Sequence, residues 1–349
     1  MSVTKKGRAP RGVALAGLRD ELEAAQRDLD RLRGEHERLL VHRNSLSRQR
    51  DDAIRERDDA VGALHRATAG GGVELPSNLL GYAVVPRWRP LDYPRIDVET
   101  EASDDDISRM CRDLAATWSA WGEREPYFSN VAHDKFKMNN IAESKNELFQ
   151  TGAETLIQIE AIAQRQGIDL RVYRDCFELG CGVGRITGAL ASVFDTVYGM
   201  DVSTSHLRVA REELANTNAR VELRTFDGLA SIDAVPRFDL FVSFSVLQHN
   251  PPPLAAKILD RILAKVRVGG AACFQCQTYQ TGYRFRVAEY LQARQMQGDA
   301  LEGWEMHCLL QPIIYEAFRR NGFSLLEVRE DGSLANGISQ VFFARRERE

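Results

Sequence analysis

The sequence has little that would mark a membrane, secreted or nucleic-acid-binding protein. No apolar run is long enough to cross a bilayer, and the apolar stretch that begins at Val13 meets charge again at Arg19, too early for a secretion signal. Six cysteines in 349 residues form no regular framework, which favours a reducing compartment. The net charge of -4 gives no general attraction to nucleic acid or anionic lipid. These absences predict a cytoplasmic protein with no nucleic-acid partner and no membrane span.

Proline is absent between residues 13 and 67, and glycine is sparse there. Leucine and alanine recur at heptad spacing in the first half of this stretch, as at Leu15, Leu22 and Leu29, which predicts a coiled coil. Arginine and histidine occupy the same positions in the second half, so a single solvated helix stays open as an alternative. The prediction for residues 1–67 is an N-terminal helix that joins two copies of the chain or docks it on a partner.

Composition divides the rest of the chain. Four prolines and a glycine triplet interrupt regular structure after residue 67, yet interspersed aromatic residues predict a linker packed on the core. Ser103 and three following aspartates predict the start of an amphipathic helix that ends near Trp121, and a second helix is expected from about Glu143 to Gln166, interrupted near Gly152. The predicted parts are a linker at 68–103, a helical lobe at 104–170, and an α/β domain at 171–349 with an insertion at 277–312.

The most informative run extends from Phe177 to Thr187, and it reads as a strand, a glycine-rich turn and the start of a helix. Glycines at positions 180, 182 and 184 let the backbone pass close to a ligand. Glu178 precedes them, giving E-x-G-x-G-x-G rather than the G-x-G-x-x-G of dinucleotide-binding folds. A pyrophosphate at a helix N-terminus disfavours a nearby carboxylate, whereas a cationic amino-acid ligand uses it.

Four further strands follow the glycine turn. The second ends at Asp201. Its separation from the glycine turn is close to the roughly 20 residues at which an acid contacts ribose hydroxyls in doubly wound folds. The third ends at Asp227-Gly228, and the fourth, at residues 238–244, is nearly all apolar, as a strand buried on both faces should be. A fifth is expected at residues 271–275. This β-α-β-α-β spacing predicts a parallel sheet.

In this order the turn and its acids resemble the class I S-adenosylmethionine-dependent methyltransferases. The resemblance implies a seven-stranded, doubly wound Rossmann-like sheet of order 3-2-1-4-5-7-6, with S-adenosylmethionine as the cofactor. It implies that Asp227 binds the adenine amino group and that the run Glu147–Ala153 lies near the methionine end. Within the superfamily, the chain looks most like methyltransferases of bacterial glycan and secondary-metabolite pathways. The cofactor-binding residues expected are Glu178, Gly180, Gly182, Gly184, Asp201, Val202, Asp227, Gly228, Ser243 and Phe244.

His249 is the predicted catalytic base. A sulfonium methyl is already electrophilic, so catalysis requires positioning of a nucleophile, plus a base when that nucleophile is a hydroxyl. His249 follows the fourth strand, where the crevice of an open parallel sheet lies, and imidazole titrates near physiological pH. The alternative, that its ring only hydrogen-bonds to the backbone, stays open. The rival candidates are His133, Asp134, Tyr283 and His307.

The predicted function is methyl transfer to an oxygen of a small molecule or glycan. Aromatic and polar residues of the insertion suit a sugar or polyketide-like ring, and Arg284, Arg286 and Arg294 are interpreted as bordering an anionic small-molecule pocket. The alternatives are methylation of a nitrogen, and a cofactor-binding scaffold tethered by the coiled coil. No metal site is predicted, because Cys273 and Cys276, three apart on a strand, point to opposite faces.

Overall fold

The computed structural model describes residues 94–217, 219–297, 304–331 and 337–348. The predicted coiled coil at 1–67 and most of the predicted linker at 68–103 lie outside the described residues. No helix within the described ranges combines the length and apolarity needed to cross a membrane.

The described chain forms a mixed α/β fold. In chain order the strands are β1 (Asp97–Val98), β2 (Asp175–Leu179), β3 (Thr196–Asp201), β4 (Arg220–Thr225), β5 (Phe238–Ser243), β6 (Val266–Gln280), β7 (Arg284–Phe285), β8 (Phe323–Glu330) and β9 (Gly337–Arg346). The helices are α1 (Asp104–Arg124), α2 (Ile141–Arg165), α3 (Arg185–Leu190), α4 (Thr204–Glu213), α5 (Leu229–Asp233), α6 (Pro252–Lys265), α7 (Val287–Gln297) and α8 (Gln311–Arg320).

Seven of the strands form one sheet, in the order β4-β3-β2-β5-β6-β9-β8. The five strands from β4 to β6 run parallel, whereas β9 is antiparallel to both β6 and β8. Numbered within this sheet alone, the order is 3-2-1-4-5-7-6, so the predicted Rossmann-like methyltransferase topology is confirmed. The parallel strands place their carboxyl ends, and the loops that follow them, along one edge of the sheet.

Both faces of the sheet are buried, which explains the apolar composition of the central strands. On β5, Phe241 packs in one core cluster, while its neighbours Leu240 and Val242 pack in another. The same alternation on β6 places Cys276 in the first cluster and Cys273 in the second. All six cysteines of the chain are free and buried.

Two features differ from the sequence expectation. The predicted interruption of the second lobe helix near Gly152 is wrong, because α2 continues unbroken through it. A Cβ atom at Gly152 would overlap the carbonyl oxygen of Arg185, so this glycine allows α2 to lie directly against the start of α3. The second feature is an unpredicted two-stranded parallel sheet, β1 with β7, which joins the residues before α1 to the insertion.

Candidate active site

The glycine turn between β2 and α3 lines a pocket at the carboxyl ends of the parallel strands. Gly180, Gly182 and Gly184 have φ values of 72°, 53° and 87°, a region in which side chains are strained. A Cβ atom at Gly180 would overlap the side chain of Val246, and one at Gly182 would overlap that of Asn130. The turn therefore depends on glycine both for its backbone angles and for the close approach of neighbouring segments.

Glu178 is the buried acid of the site, with only 2% of its surface exposed. Its carboxyl group accepts a hydrogen bond of 2.5 Å from Thr187 Oγ1. Burial raises the pKa of Glu178 to about 7, although the Thr187 hydrogen bond and the nearby Arg185 guanidinium act in the opposite direction. Because loss of solvation is the main cause, a cationic group bound beside Glu178 would favour its ionised form.

Asp201, the last residue of β3, connects the glycine turn to the next helix. Its Oδ2 accepts the Gly182 N–H at 2.8 Å, and its Oδ1 accepts the Ser203 N–H at 2.8 Å. Asp201 lines the pocket together with Glu178. A carboxylate has more acceptor sites than these two bonds use, so Asp201 retains capacity for hydroxyl donors.

A segment of the helical lobe between α1 and α2 covers the glycine turn. Asn130 Nδ2 donates to the Pro126 carbonyl at 2.7 Å, while Asn130 Oδ1 accepts the Val183 N–H at 3.2 Å. Ser129 Oγ lies 2.7 Å from His206 Nε2. Ser129, Asn130 and His206 all line the pocket, and none was predicted from the sequence. They come from segments that carry no local motif, so only their packing identifies them.

His249 lies in a single 3-10 turn, Leu247–His249, that follows β5. Its Nδ1 is 2.9 Å from the backbone oxygen of Glu305. A carbonyl oxygen only accepts, so Nδ1 carries the proton and Nε2 holds a lone pair. Burial lowers the pKa of His249, and the bond to Glu305 only partly offsets this. The ring is therefore neutral near pH 7, and Nε2 has no hydrogen-bond partner within the described chain.

Aromatic rings surround His249. Trp118 meets it edge-on at 5.1 Å between ring centroids, and Trp304 does so at 6.3 Å. The two tryptophans stack on each other at 6.0 Å, and Trp121 and Phe128 extend the cluster. Helix α1 and the insertion thus both contribute rings to the wall beside His249, which limits the access of water to the imidazole.

Seven of the eleven residues predicted for the site line the pocket, and the other four are not among its lining residues. Those that line it are Glu178, Gly180, Gly182, Asp201, Val202, Phe244 and His249. Gly184 instead packs against Leu214, and Ser243 Oγ donates to the Leu179 carbonyl at 3.2 Å. At the end of β4 the pocket is lined by Phe226, whereas Asp227 and Gly228 are not among its lining residues.

The rival catalytic candidates also lie outside the pocket lining. His133 and Asp134 belong to an exposed turn, in which His133 Nδ1 accepts the Lys135 N–H and Asp134 pairs with Lys137. Tyr283 and His307 hydrogen-bond to each other at 2.9 Å. Across the described ranges no three His, Cys, Asp or Glu side chains are grouped so as to hold a metal ion.

The donor set fits the predicted cofactor. The buried acid Glu178 lines the pocket just before the glycine turn. Asp201, which has unused acceptor capacity, lines it after the turn. These groups suit an ammonium group and hydroxyl donors, and the bare glycine backbone leaves space for close approach. When bound, S-adenosylmethionine supplies an electrophilic methyl carbon, because its sulfonium becomes a neutral thioether when the methyl group leaves.

The chain is similar to known methyltransferases. The family described as "Methyltransferase domain" matches residues 177–270. A ubiquinone biosynthesis O-methyltransferase from Methylobacterium nodulans is 26% identical over 145 residues, 42% of this chain and 52% of the relative. A release factor glutamine methyltransferase from Koribacter versatilis is 28% identical over 166 residues, 47% of this chain and 52% of the relative. The chain thus matches about half the length of these curated relatives.

Among solved structures, a magnesium protoporphyrin IX methyltransferase from Synechocystis PCC 6803 with bound SAM is similar to this chain. It is 17% identical with a TM-score of 0.43, covering 71% of this chain and 100% of that one. The matched residues 177–270 begin within β2 and include the glycine turn, Asp201 and the His249 turn. The chain therefore carries a class I S-adenosylmethionine-dependent methyltransferase domain, with S-adenosylmethionine as its cofactor.

Proposed function

We propose that this protein transfers a methyl group to a hydroxyl oxygen of a small molecule or glycan, with His249 as the general base. The proposal rests on the hydrogen bonding and protonation of the His249 imidazole. Its Nδ1 is committed to the Glu305 carbonyl, while Nε2 is unprotonated and without a partner in the described chain. The ring borders the same pocket as Glu178 and Asp201. A hydroxyl requires such a proton acceptor, because it is a weak nucleophile while protonated.

In the proposed arrangement the two acids orient the cofactor. Glu178 pairs with its amino group, and Asp201 accepts hydrogen bonds from its ribose hydroxyls. The aromatic wall keeps water from competing with the acceptor for His249. His249 would then remove the hydroxyl proton at Nε2 as the oxygen bonds to the methyl carbon. The carbon–sulfur bond of the cofactor would break, leaving its electron pair on sulfur in S-adenosylhomocysteine, and the imidazolium would stay bonded to Glu305 through Nδ1.

The charges of the insertion favour an uncharged acceptor. Arg284 pairs with Glu289 at 2.8 Å, Arg286 pairs with Asp97, and Arg294 pairs with Glu305 at 3.2 Å. Each guanidinium that was interpreted as bordering an anionic pocket thus already has a carboxylate partner. What remains beside His249 is a set of stacked rings, which suits an aromatic ring or the apolar face of a sugar.

Methylation of nitrogen is the second candidate. One relative is named as a glutamine methyltransferase. Asn250-Pro251-Pro252-Pro253 only partly matches the Asn-Pro-Pro-aromatic motif of enzymes that methylate amide or adenine nitrogen, because its asparagine lies six residues beyond Phe244, where that motif would begin. Here Asn250 Nδ2 donates to the Val246 carbonyl at 2.8 Å, and Pro252 begins α6. The asparagine therefore stabilises the turn, and the aromatic residue is missing, so oxygen remains the preferred acceptor.

The proposal is tested by separating cofactor binding from turnover. Isothermal titration with S-adenosylhomocysteine should give binding at tens of micromolar or tighter, and Asp201→Ala should weaken it strongly. His249→Ala should leave this affinity unchanged and lower methyl transfer by roughly 10²–10⁴-fold. His133→Ala, in an exposed turn outside the pocket, is the matched histidine control and should retain both properties.

Each part of the proposal has its own failing outcome. If S-adenosylhomocysteine does not bind, the proposal of a working cofactor site is wrong. If the His249 variant turns over normally, the assignment of His249 as the base is wrong. The acceptor is best identified by incubating cell extract with a labelled methyl donor and characterising the labelled product. A labelled amine or amide would replace the oxygen proposal, and binding without any labelled product would favour the scaffold alternative.

A further inference from the structure

The returning part of the insertion, residues 304–309, is hydrogen-bonded to the turn that carries His249. The His307 N–H donates to the Gln248 carbonyl at 2.6 Å. Two residues earlier, the Glu305 carbonyl accepts from His249 Nδ1 at 2.9 Å. On the other side, the Leu309 N–H donates to the Gln277 carbonyl of β6 at 2.9 Å. The backbone that contacts His249 is therefore fixed to two other elements of the domain.

The side chain of Glu305 is held by two further residues of the insertion. Its Oε2 lies 3.2 Å from Arg294 Nη2 and 3.3 Å from His307 Nε2. Burial opposes ionisation of Glu305, but the hydrogen bond and charge of His307 and the charge of Arg294 hold its pKa below the usual value. Glu305 is thus a carboxylate anchored at both its side chain and its backbone.

A third residue completes this network. His307 is buried, with 7% of its surface exposed, and its Nδ1 lies 2.9 Å from the Tyr283 hydroxyl. Since the Glu305 carboxylate can only accept, His307 Nε2 is the donor in that contact, and the Tyr283 hydroxyl lies at the other ring nitrogen, Nδ1. The orientation of Glu305 therefore depends on Arg294, on His307 and, through His307, on Tyr283.

We propose that Arg294, His307 and Tyr283 are positioning residues that act through the Glu305 carbonyl to keep the proton of His249 on Nδ1. The bond made by one imidazole nitrogen determines which nitrogen carries the proton. If the carbonyl moves away, some molecules carry the proton on Nε2 and have no lone pair for the acceptor. The effect on catalysis rests on the proposed function, whereas the effect on the tautomer does not.

The test compares two arginines of the insertion in the full chain. Arg294→Gln removes the ion pair to Glu305, while Arg284→Gln removes the exposed pair to Glu289 and is the matched control. Nitrogen-15 NMR of the imidazole groups, with the His249 signals identified by their loss in His249→Gln, reports the tautomer directly. The wild type and Arg284→Gln should show Nδ1–H alone, and Arg294→Gln should show a mixture of both tautomers.

Kinetics supply the second readout. Arg294→Gln should lower kcat by about tenfold while leaving the KM for S-adenosylmethionine within about twofold, and Arg294→Lys should restore part of the loss. Tyr283→Phe keeps the ring and removes one hydroxyl. It replaces Arg294→Gln as the test variant if that variant fails to fold, and it should lower kcat by about threefold.

An unchanged Nδ1–H tautomer in both Arg294→Gln and Tyr283→Phe would overturn the inference. If His249→Ala retains turnover, the base assignment fails, but the NMR comparison still decides whether these residues control the tautomer.

Discussion

At the scale of single residues, the buried carboxyl of Glu178 has a consequence for cofactor binding. Its pKa of about 7 means that it is mostly protonated at pH 6 in the free protein. A bound ammonium group would stabilise the carboxylate, so binding should release close to one proton per site at pH 6.

This proton release is measured by titrating S-adenosylhomocysteine at pH 6 in buffers with different ionisation enthalpies. The heat should depend on the buffer for the wild type and much less for Glu178→Gln. Glu154→Gln, an exposed change on α2, should behave as the wild type. A heat that is independent of the buffer in the wild type would show that Glu178 does not ionise on binding.

The same residue makes stability depend on pH. The pKa of Glu178 is raised from 4.5 to about 7 by folding, so between these values the folded state binds the proton more tightly than the unfolded state. Its contribution to stability is complete below about pH 4.5 and is lost as the pH rises to about 7. The loss amounts to as much as about 3 kcal/mol.

Urea midpoints measured at pH 5 and at pH 7.5 check this prediction. The difference in urea midpoint between the wild type and Glu178→Gln should change between these two pH values, and the m-value should stay constant. A difference between the two proteins that is the same at both pH values would contradict the assignment of the titration to Glu178.

The spacing of the motifs predicted the pocket-lining residues that lie next to the glycine turn or at strand ends, but not those that come from distant segments. Glu178, Gly182 and Asp201 follow from spacing, because a strand end in a parallel sheet lies at the crevice. Asn130 and Ser129 reach the pocket only because α1 and α2 pack over the domain. After β4 the pocket is lined by Phe226, which no motif singled out, and the adenine-binding role of Asp227 remains a prediction.

At the scale of elements, the contact between α2 and α3 depends on Gly152. Gly152→Ala introduces a Cβ atom that overlaps the backbone carbonyl oxygen of Arg185, the residue directly after the glycine turn. We expect a loss of about 1–3 kcal/mol, in spite of the better helix propensity of alanine. Thermal unfolding measures the loss, and Glu154→Ala on the same helix should change stability by less than about 0.5 kcal/mol. Equal stability of the two variants would contradict this close packing.

Helices and parallel strands were predicted well where periodicity or a cap is strong. Ser103 accepts the Asp106 N–H, as its position before three aspartates predicts. Gly152 was misread because a glycine that permits close approach looks, in sequence, like one that breaks a helix. The β1–β7 pair was missed because strands of two residues have no periodic pattern, and their pairing depends on a long-range contact.

At the scale of the whole molecule, the N-terminal helix at 1–67 remains a prediction. Light scattering of the full chain should give the mass of a dimer, and a chain that starts near Val73 should give that of a monomer, because the leucine positions of residues 15–46 form the apolar seam. Equal monomeric masses for the two chains would remove the dimerisation hypothesis and favour a single solvated helix.

The sheet order could be predicted because the glycine turn and the acids after it identify the superfamily, and the superfamily determines the topology. The acceptor could not, because the rings that we propose to contact it come from α1 and the insertion, which are brought together only by packing. Trp118 and Trp304 stack although they lie far apart in the chain, and no spacing rule connects them.

The burial of every cysteine makes the native protein a convenient background for chemical labelling. Burial raises the pKa of Cys111 and Cys308 to about 11 and that of Cys273 to about 12, so these thiols hold almost no reactive thiolate at neutral pH. Thiol reagents should therefore report global unfolding rather than surface chemistry. A single cysteine introduced at an exposed position such as Glu154 would accept a fluorophore selectively, and the helical lobe could then be followed during turnover without removing any native residue from the core.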